Sequence, residues 1–205
     1  TDAEKAQALY RFVQSEIVFG FTSKFDAASP EDTLRTKRGH CNPQGALFTS
    51  LCNAAGLTAR QHFVELTNHV LRGVLAPSPP TLLHSYVEVE LLQGDKERTV
   101  RLDGYIADPE LFKAAQAQLL EEGAEQGYGV HVRGCSEWDG VTDCFVQMAD
   151  EHGQVRRDLG VYDVPLELYR SADNFQRLPL LISWTFGLLA RSINARIASI
   201  RSRKS

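Results

Sequence analysis

One cysteine lies where the chain could make it a nucleophile. Cys41 follows the basic segment Lys37-Arg38-Gly39-His40 and precedes Asn42-Pro43, where proline is typical of the first turn of a helix. The positive end of a helix and neighbouring cations both favour the thiolate, which is the nucleophilic form. The sequence therefore predicts a Cys41 that is alkylated quickly below pH 8. A half-buried structural cysteine is the alternative.

A thiol nucleophile needs an imidazole within hydrogen-bond reach, and the imidazole needs an acceptor that orients it. His84 opens one predicted strand and Asp103 closes the next. Antiparallel pairing through a four-residue loop, Leu92 to Asp95, sets Val87 opposite Val100 on an apolar side and His84 opposite Asp103 on the other. This register comes from apolar matching and a loop length chosen to satisfy it. The candidates for nucleophile, base and orienting acid are Cys41, His84 and Asp103.

The elements that must position these residues follow from the periodicity. Apolar residues at helical spacing come first, and a period of two begins near Ala59. The order favours an α+β domain, with a helix packed on an antiparallel meander. The predicted helices cover 1–19, a short stretch from Pro30, 42–55, 108–122 and 178–204, and the predicted strands cover 61–66, 84–92 and 99–103. Residues 123–160 give no clear assignment, and the proline-rich segment 76–80 cannot join a central ladder.

Three motifs in order resemble the transglutaminase-like superfamily. Gly39-His40-Cys41 leads into a helix that ends in the run Ala54-Ala55-Gly56-Leu57-Thr58-Ala59-Arg60. His84-Ser85-Tyr86-Val87-Glu88-Val89 is similar to the family's histidine strand, and Val100-Arg101-Leu102-Asp103 is similar to its aspartate strand. The resemblance covers about residues 5–112 and leaves 113–205 as an extension. One domain over 1–205 is expected, with the papain-like cysteine hydrolase fold and an extra C-terminal helix.

The resemblance implies a Cys-His-Asp triad that acts on amides through a thioester. Cys41 would be the nucleophile, His84 the general base and acid, and Asp103 the group that fixes the imidazole tautomer. Thr99 stands where many members carry tryptophan, and Asp108, in the dipeptide Asp108-Pro109, is a rival orienting acid that could instead cap a helix. The Cys41 amide is a candidate oxyanion donor, with Gln14 or Gln44 as a second.

Composition limits the partners. The formal charge is −4, and six bases without any acid follow Asp173, so the first 173 residues carry −10. An acidic body argues against nucleic acid as the main ligand. The family resemblance implies a peptide or protein amide as the substrate. The basic C-terminal helix is expected to dock on its own domain, with a membrane surface or a protein partner as the alternative. No apolar stretch reaches the length of a membrane span.

The four cysteines are too sparse for a disulfide scaffold, which favours reduced thiols and a cytoplasmic location. A Cys135–Cys144 disulfide is a minor alternative for an oxidising compartment. No cofactor and no metal are expected, because the only candidate zinc ligands, His131, Cys135, Cys144 and His152, lack a close pair of thiols.

These features predict a cysteine-dependent peptidase, amidase, deamidase or protein crosslinker. A non-catalytic peptide-binding module with the same fold is one alternative. An arylamine N-acetyltransferase is another, although Lys37-Arg38-Gly39-His40 stands where that family has paired glycines.

Overall fold

The structure is a computed structural model, and it describes residues 1–75, 80–93, 96–148, 154–162, 168 and 180–203. Most of the proline-rich segment 76–80, residues 94–95 and His152 therefore lie outside the described residues. In the described part, helices come first and the main sheet follows, as the periodicity predicted.

Five α-helices are described. Thr1 and Glu4 form a capping box at the start of the first helix, and Ser29 and Asp32 form another at the start of the second. Asp108 caps the fourth helix with its side chain. The bounds are α1 Asp2–Glu16, α2 Pro30–Thr36, α3 Cys41–Ala54, α4 Pro109–Glu122 and α5 Leu180–Arg201.

Among the described residues, the main sheet has four strands, which are β3 Thr58–Thr67, β4 Thr81–Gln93, β5 Lys96–Leu102 and β8 Val155–Val161. They are antiparallel and lie in the order β5-β4-β3-β8. Short strand pairs join β1 Val18–Phe19 to β2 Arg38–Gly39, and β6 Gln126–Gly127 to β7 Val130–His131. No pattern in the sequence predicted β8, because its arginines and glycine interrupt the apolar alternation.

The predicted register between β4 and β5 is wrong by two residues. Val87 pairs with Leu102 and Val89 pairs with Val100, so the paired strands run as far as Gln93 and Lys96. The connection is therefore two residues long rather than four. A shift of two keeps every side chain on its original face, so alternation alone could not distinguish the two registers.

The core lies between α3 and one face of the sheet, with α1 and α4 packed around it. On α3 the buried apolar side chains are Leu47, Phe48 and Cys52, whereas Leu51 is only partly buried and Ala55 is exposed. Leu47, Leu51 and Ala55 recur every four residues in the sequence, which predicts one buried stripe, and the observed stripe is rotated from it. Gly45 allows the close approach of α3 to the sheet, since a Cβ there would lie 2.7 Å from Gln61 Nε2.

The C-terminal helix docks on the rest of the chain. The helical spacing of Leu189, Ile193, Ile197 and Ile200 in the sequence predicts one apolar face. The three isoleucines are buried in the main core, whereas Leu189 is about half exposed. The side chains of Ile182 and Phe186 lie outside the described residues. Within the described part of the chain, no helix is long and apolar enough to cross a membrane.

Candidate functional site

Cys41 is the first residue of α3, as the sequence predicted. Its side chain lies against β4, where the thiol Sγ donates to the backbone carbonyl of Leu83 at 3.9 Å. The backbone amides of Ser85 and Asn42 also lie close enough to this sulfur to lower its pKa. β5 pairs with β4 only from Val87 onward. The sulfur therefore contacts the backbone on either side of His84, in the part of β4 that β5 does not cover.

The surroundings of Cys41 favour the thiol, contrary to the expectation of a thiolate. Only 6% of the residue is exposed, and this burial is the largest cause that raises its pKa well above the usual range of a thiol. The carboxylates of Asp26 and Asp103 raise the pKa further, while the two backbone amides lower it. Desolvation and two nearby anions therefore outweigh the helix terminus.

The basic residues before Cys41, which were expected to favour its thiolate, make their contacts elsewhere. Lys37 Nζ forms an ion pair with Glu16 at 3.2 Å, and Arg38 lies beside Gly20. Burial and the nearby Arg201 lower the pKa of Arg38. The raised pKa argues against the fast alkylation of Cys41 expected below pH 8, because only a small fraction of the thiol is ionised there.

His84 and Asp103 form a fully buried pair. His84 Nε2 lies 3.0 Å from Asp103 Oδ2, and both side chains are 0% exposed. His84 Nδ1 has no hydrogen-bond partner among the described residues. A carboxylate can only accept, so Nε2 carries the proton and Nδ1 is left as a lone-pair acceptor. The imidazole is thus in the tautomer that can accept a proton from a thiol.

Asp103 reaches His84 because the chain leaves β5 at Leu102. Asp103 has φ −130° and ψ −1°, outside the extended conformation, and it precedes a short 3₁₀ turn over Gly104–Ile106. With the observed register, Asp103 lies diagonal to His84 rather than directly opposite it. The hydrogen bond therefore depends on this bend and not on the strand pairing that the sequence suggested.

The second carboxylate oxygen of Asp103 is held by the extension beyond residue 113. Its Oδ1 accepts the backbone N–H of Val146, and that of Gln147 at 3.4 Å. The Cys144 carbonyl accepts the backbone amides of both Asp103 and Gly104 at 3.0 Å. The segment 144–147 thus fixes the carboxylate that orients His84. These contacts use backbone atoms, so no residue type in the sequence could have pointed to them.

Asp108, the rival acid, has other partners. Its Oδ1 caps α4 by accepting the Leu111 amide at 3.1 Å, and its two oxygens bind Arg201 at 2.9 and 2.6 Å. This places Asp108 in a helix cap and in an ion pair with α5. Between the two candidates, the structure brings Asp103 to His84 and places Asp108 elsewhere.

Gln14 and Gln44, the candidates for a second oxyanion donor, both donate hydrogen bonds to backbone carbonyls. Gln14 Nε2 donates to the carbonyls of Gly104, Ala107 and Ser136. Gln44 Nε2 donates to the carbonyls of Gly39 and Ile106 at 2.8 and 3.1 Å. Both amides join segments around the site, so neither is free to bind a developing oxyanion.

Two polar residues that the sequence did not single out tie α3 to the sheet. Gln61 Nε2 donates to the Asn42 carbonyl at 2.9 Å and to Ser85 Oγ at 2.7 Å. All three residues are buried, with Ser85 0% exposed. This bridge fixes the first turn of α3 relative to the strand that carries His84. Ser85 lies within the quoted histidine motif, whereas the role of Gln61 had no signal in the sequence.

A thiol at a helix start, a buried imidazole and a buried carboxylate on an α+β scaffold define a papain-like class of site. A family model of the transglutaminase-like superfamily matches residues 1–103, and the chain belongs to this superfamily. The match ends at Asp103, so the segment that holds Asp103 Oδ1 lies outside it. Comparison with curated proteins and with solved structures gave no match. Membership of this superfamily supports cysteine-based hydrolase or acyltransferase chemistry in general, and not one specific reaction.

Proposed function

We propose that the chain is a cysteine-dependent enzyme that cleaves or transfers acyl groups from amide bonds of peptides or proteins. The observation that carries this proposal is the buried His84. Its Nε2 faces Asp103, its Nδ1 is unpartnered among the described residues, and the backbone on both sides of it contacts Cys41 Sγ. A thiol, a proton acceptor and an orienting carboxylate are thereby collected at one point.

The first step would be attack of Cys41 sulfur on the amide carbonyl carbon. The thiol proton passes to His84 Nδ1 as the carbon–sulfur bond forms, so a resting thiol is compatible with the reaction. The imidazolium that forms is stabilised by Asp103. The charge that develops on the carbonyl oxygen needs N–H donors, and the Cys41 amide is suited because amides in the first turn of a helix have no intrahelical acceptor.

The remaining steps of the reaction form the thioester and then resolve it. The imidazolium gives its proton to the departing amine or ammonia, which leaves a thioester on Cys41. Water then yields a carboxylic acid, whereas an amine yields a new amide, and in both cases His84 removes a proton from the attacking group. Peptidase, amidase, deamidase and crosslinking activities share these steps and differ in the substrate amide and the acceptor. A cytoplasmic location, expected from the sparse cysteines, is part of this proposal.

The test is mass spectrometry of the intact protein after acid quench. Incubation with a glutamine-containing peptide should give a peptide adduct on Cys41, and ammonia or a peptide fragment should be released as this adduct forms. Cys41→Ala should abolish both, whereas Cys52→Ala, which changes another buried cysteine of the same helix, should retain them. Equal product from the wild type and Cys41→Ala would refute the proposal. An adduct of one acetyl group from acetyl-coenzyme A would indicate the arylamine N-acetyltransferase class instead.

A further inference from the structure

A second histidine–carboxylate pair lies next to the candidate nucleophile. Asp26 is in a 3₁₀ turn over Phe25–Ala27, and its side chain is only 3% exposed. Asp26 Oδ1 lies 2.7 Å from His40 Nε2 and also accepts from Asn42 Nδ2 at 2.7 Å. His40 and Asn42 are the two sequence neighbours of Cys41, so one carboxylate oxygen holds the chain on both sides of the sulfur-bearing residue.

The surroundings of Asp26 keep this contact in place. The His40 ring stacks on Phe21 and Phe25, with ring centroids 5.0 and 4.7 Å apart. Phe25 has a φ of +48°, in the left-handed region that a bulky side chain rarely adopts. Such a conformation persists only where surrounding contacts enforce it. The turn is therefore held in a strained geometry immediately before the carboxylate that reaches the start of α3.

We propose that Asp26 is a positioning residue for Cys41, whose carboxylate fixes the first turn of α3 by joining His40 to Asn42. The proposal rests on the function proposed above, because it assigns Asp26 a role through the nucleophile. The contact also places a negative charge near the sulfur, and this charge is one of the causes that raise the Cys41 pKa. Asp26 thus holds the nucleophile in place and adds to the burial that favours its protonated thiol.

Asp26→Asn separates the hydrogen bonds from the charge. The asparagine oxygen can still accept from both His40 and Asn42, while the negative charge is removed. The rate of Cys41 alkylation by iodoacetamide, followed by peptide mass spectrometry, should then have its midpoint about 1 pH unit lower than in the wild type. The other titratable groups around Cys41 are His84, Asp103, Tyr105 and His40, and all of them are unchanged in this variant.

Asp158→Asn is the matched control, because Asp158 is an exposed acid on β8 that binds His62. It should leave the midpoint unchanged. A midpoint in Asp26→Asn that stays at the wild-type value or moves to higher pH would overturn the electrostatic part of the proposal.

Asp26→Ala removes the hydrogen bonds as well as the charge. Relative to Asp26→Asn, it should lower kcat about 100-fold with little change in KM, because misplacement of a reacting group by about 1 Å costs this much. Amide hydrogen exchange in residues 41–45 should also be faster in Asp26→Ala than in Asp26→Asn. A folded Asp26→Ala variant with the exchange rates of Asp26→Asn would overturn the positioning role. Exchange and alkylation need no substrate, so they separate failure of this proposal from failure of the proposed enzyme activity.

Discussion

Asp103→Asn would reverse the hydrogen bond that holds His84. Asp103 Oδ1 accepts backbone amides from Val146 and Gln147, and Oδ2 accepts from His84 Nε2. Two backbone donors require an oxygen opposite them, so the asparagine nitrogen must take the place of Oδ2. That nitrogen would donate to Nε2, and the imidazole would then carry its proton on Nδ1. Such an imidazole cannot accept the Cys41 proton.

The expected loss is large although the side-chain volume hardly changes. An imidazole held in the wrong tautomer costs about 10⁴-fold in kcat, which corresponds to about 5 kcal/mol of transition-state stabilisation. The assay is release of ammonia or fragments from a glutamine peptide under saturating substrate. Circular dichroism should show that the variant remains folded.

Asp108→Asn is the matched control because Asp108 was the rival orienting acid. It keeps a side-chain oxygen that can cap α4 but removes the ion pair with Arg201, so it should lower the free energy of unfolding and leave kcat unchanged. A folded Asp103→Asn variant with kcat within tenfold of the wild type would refute the reasoning. A larger loss of kcat in Asp108→Asn than in Asp103→Asn would also refute it.

Three further predictions concern pH and stability. Burial raises the pKa of Cys52 to about 12 and raises that of Cys41 as well, so the folded state retains these protons more tightly than the unfolded state. The contribution of the two protonated thiols to stability is complete below a pH of about 8.5, the pKa of a free thiol, and is lost as the pH rises above that value. Urea unfolding at pH 7.5 and 9.5 should therefore give a lower free energy of unfolding at the higher pH. An equal free energy at the two pH values would contradict this prediction. Gln44→Ala would remove a side-chain donor from the Ile106 carbonyl and from the Gly39 carbonyl, which keeps the Gly20 amide as a second donor, and it should lower the free energy of unfolding by about 1–3 kcal/mol. A change below roughly 0.5 kcal/mol, which is that of an ordinary surface substitution, would show that Gln44 is not a structural bridge. Arg201→Ala would leave the partly buried Asp108 without its cation and should lower the free energy of unfolding by about 3 kcal/mol. An unchanged denaturation midpoint would argue against docking of α5 through this pair.

Local patterns in the sequence were enough to predict where the helices begin and to identify the three motifs. Capping boxes, prolines and the change of period are local signals, and they placed α1, α2, α3, α4 and the strands β3, β4 and β5 to within a few residues. Cys41 at a helix start was predicted in the same way, because the helix signal is contained in its neighbours. The family model matches residues 1–103, the part of the chain that contains these motifs.

Tertiary structure decided the electrostatics and the support of the site. The charge environment of Cys41 depends on burial and on Asp26 and Asp103, whereas its basic neighbours in sequence turn to other partners. The strand register differs by two residues from the prediction, because side-chain alternation repeats every two residues and cannot count them. Asp103 is fixed by backbone amides more than 40 residues away, and a backbone amide is the same group in almost every residue type. Side-chain types and spacing therefore identified the reactive groups, while long-range packing set their protonation and orientation.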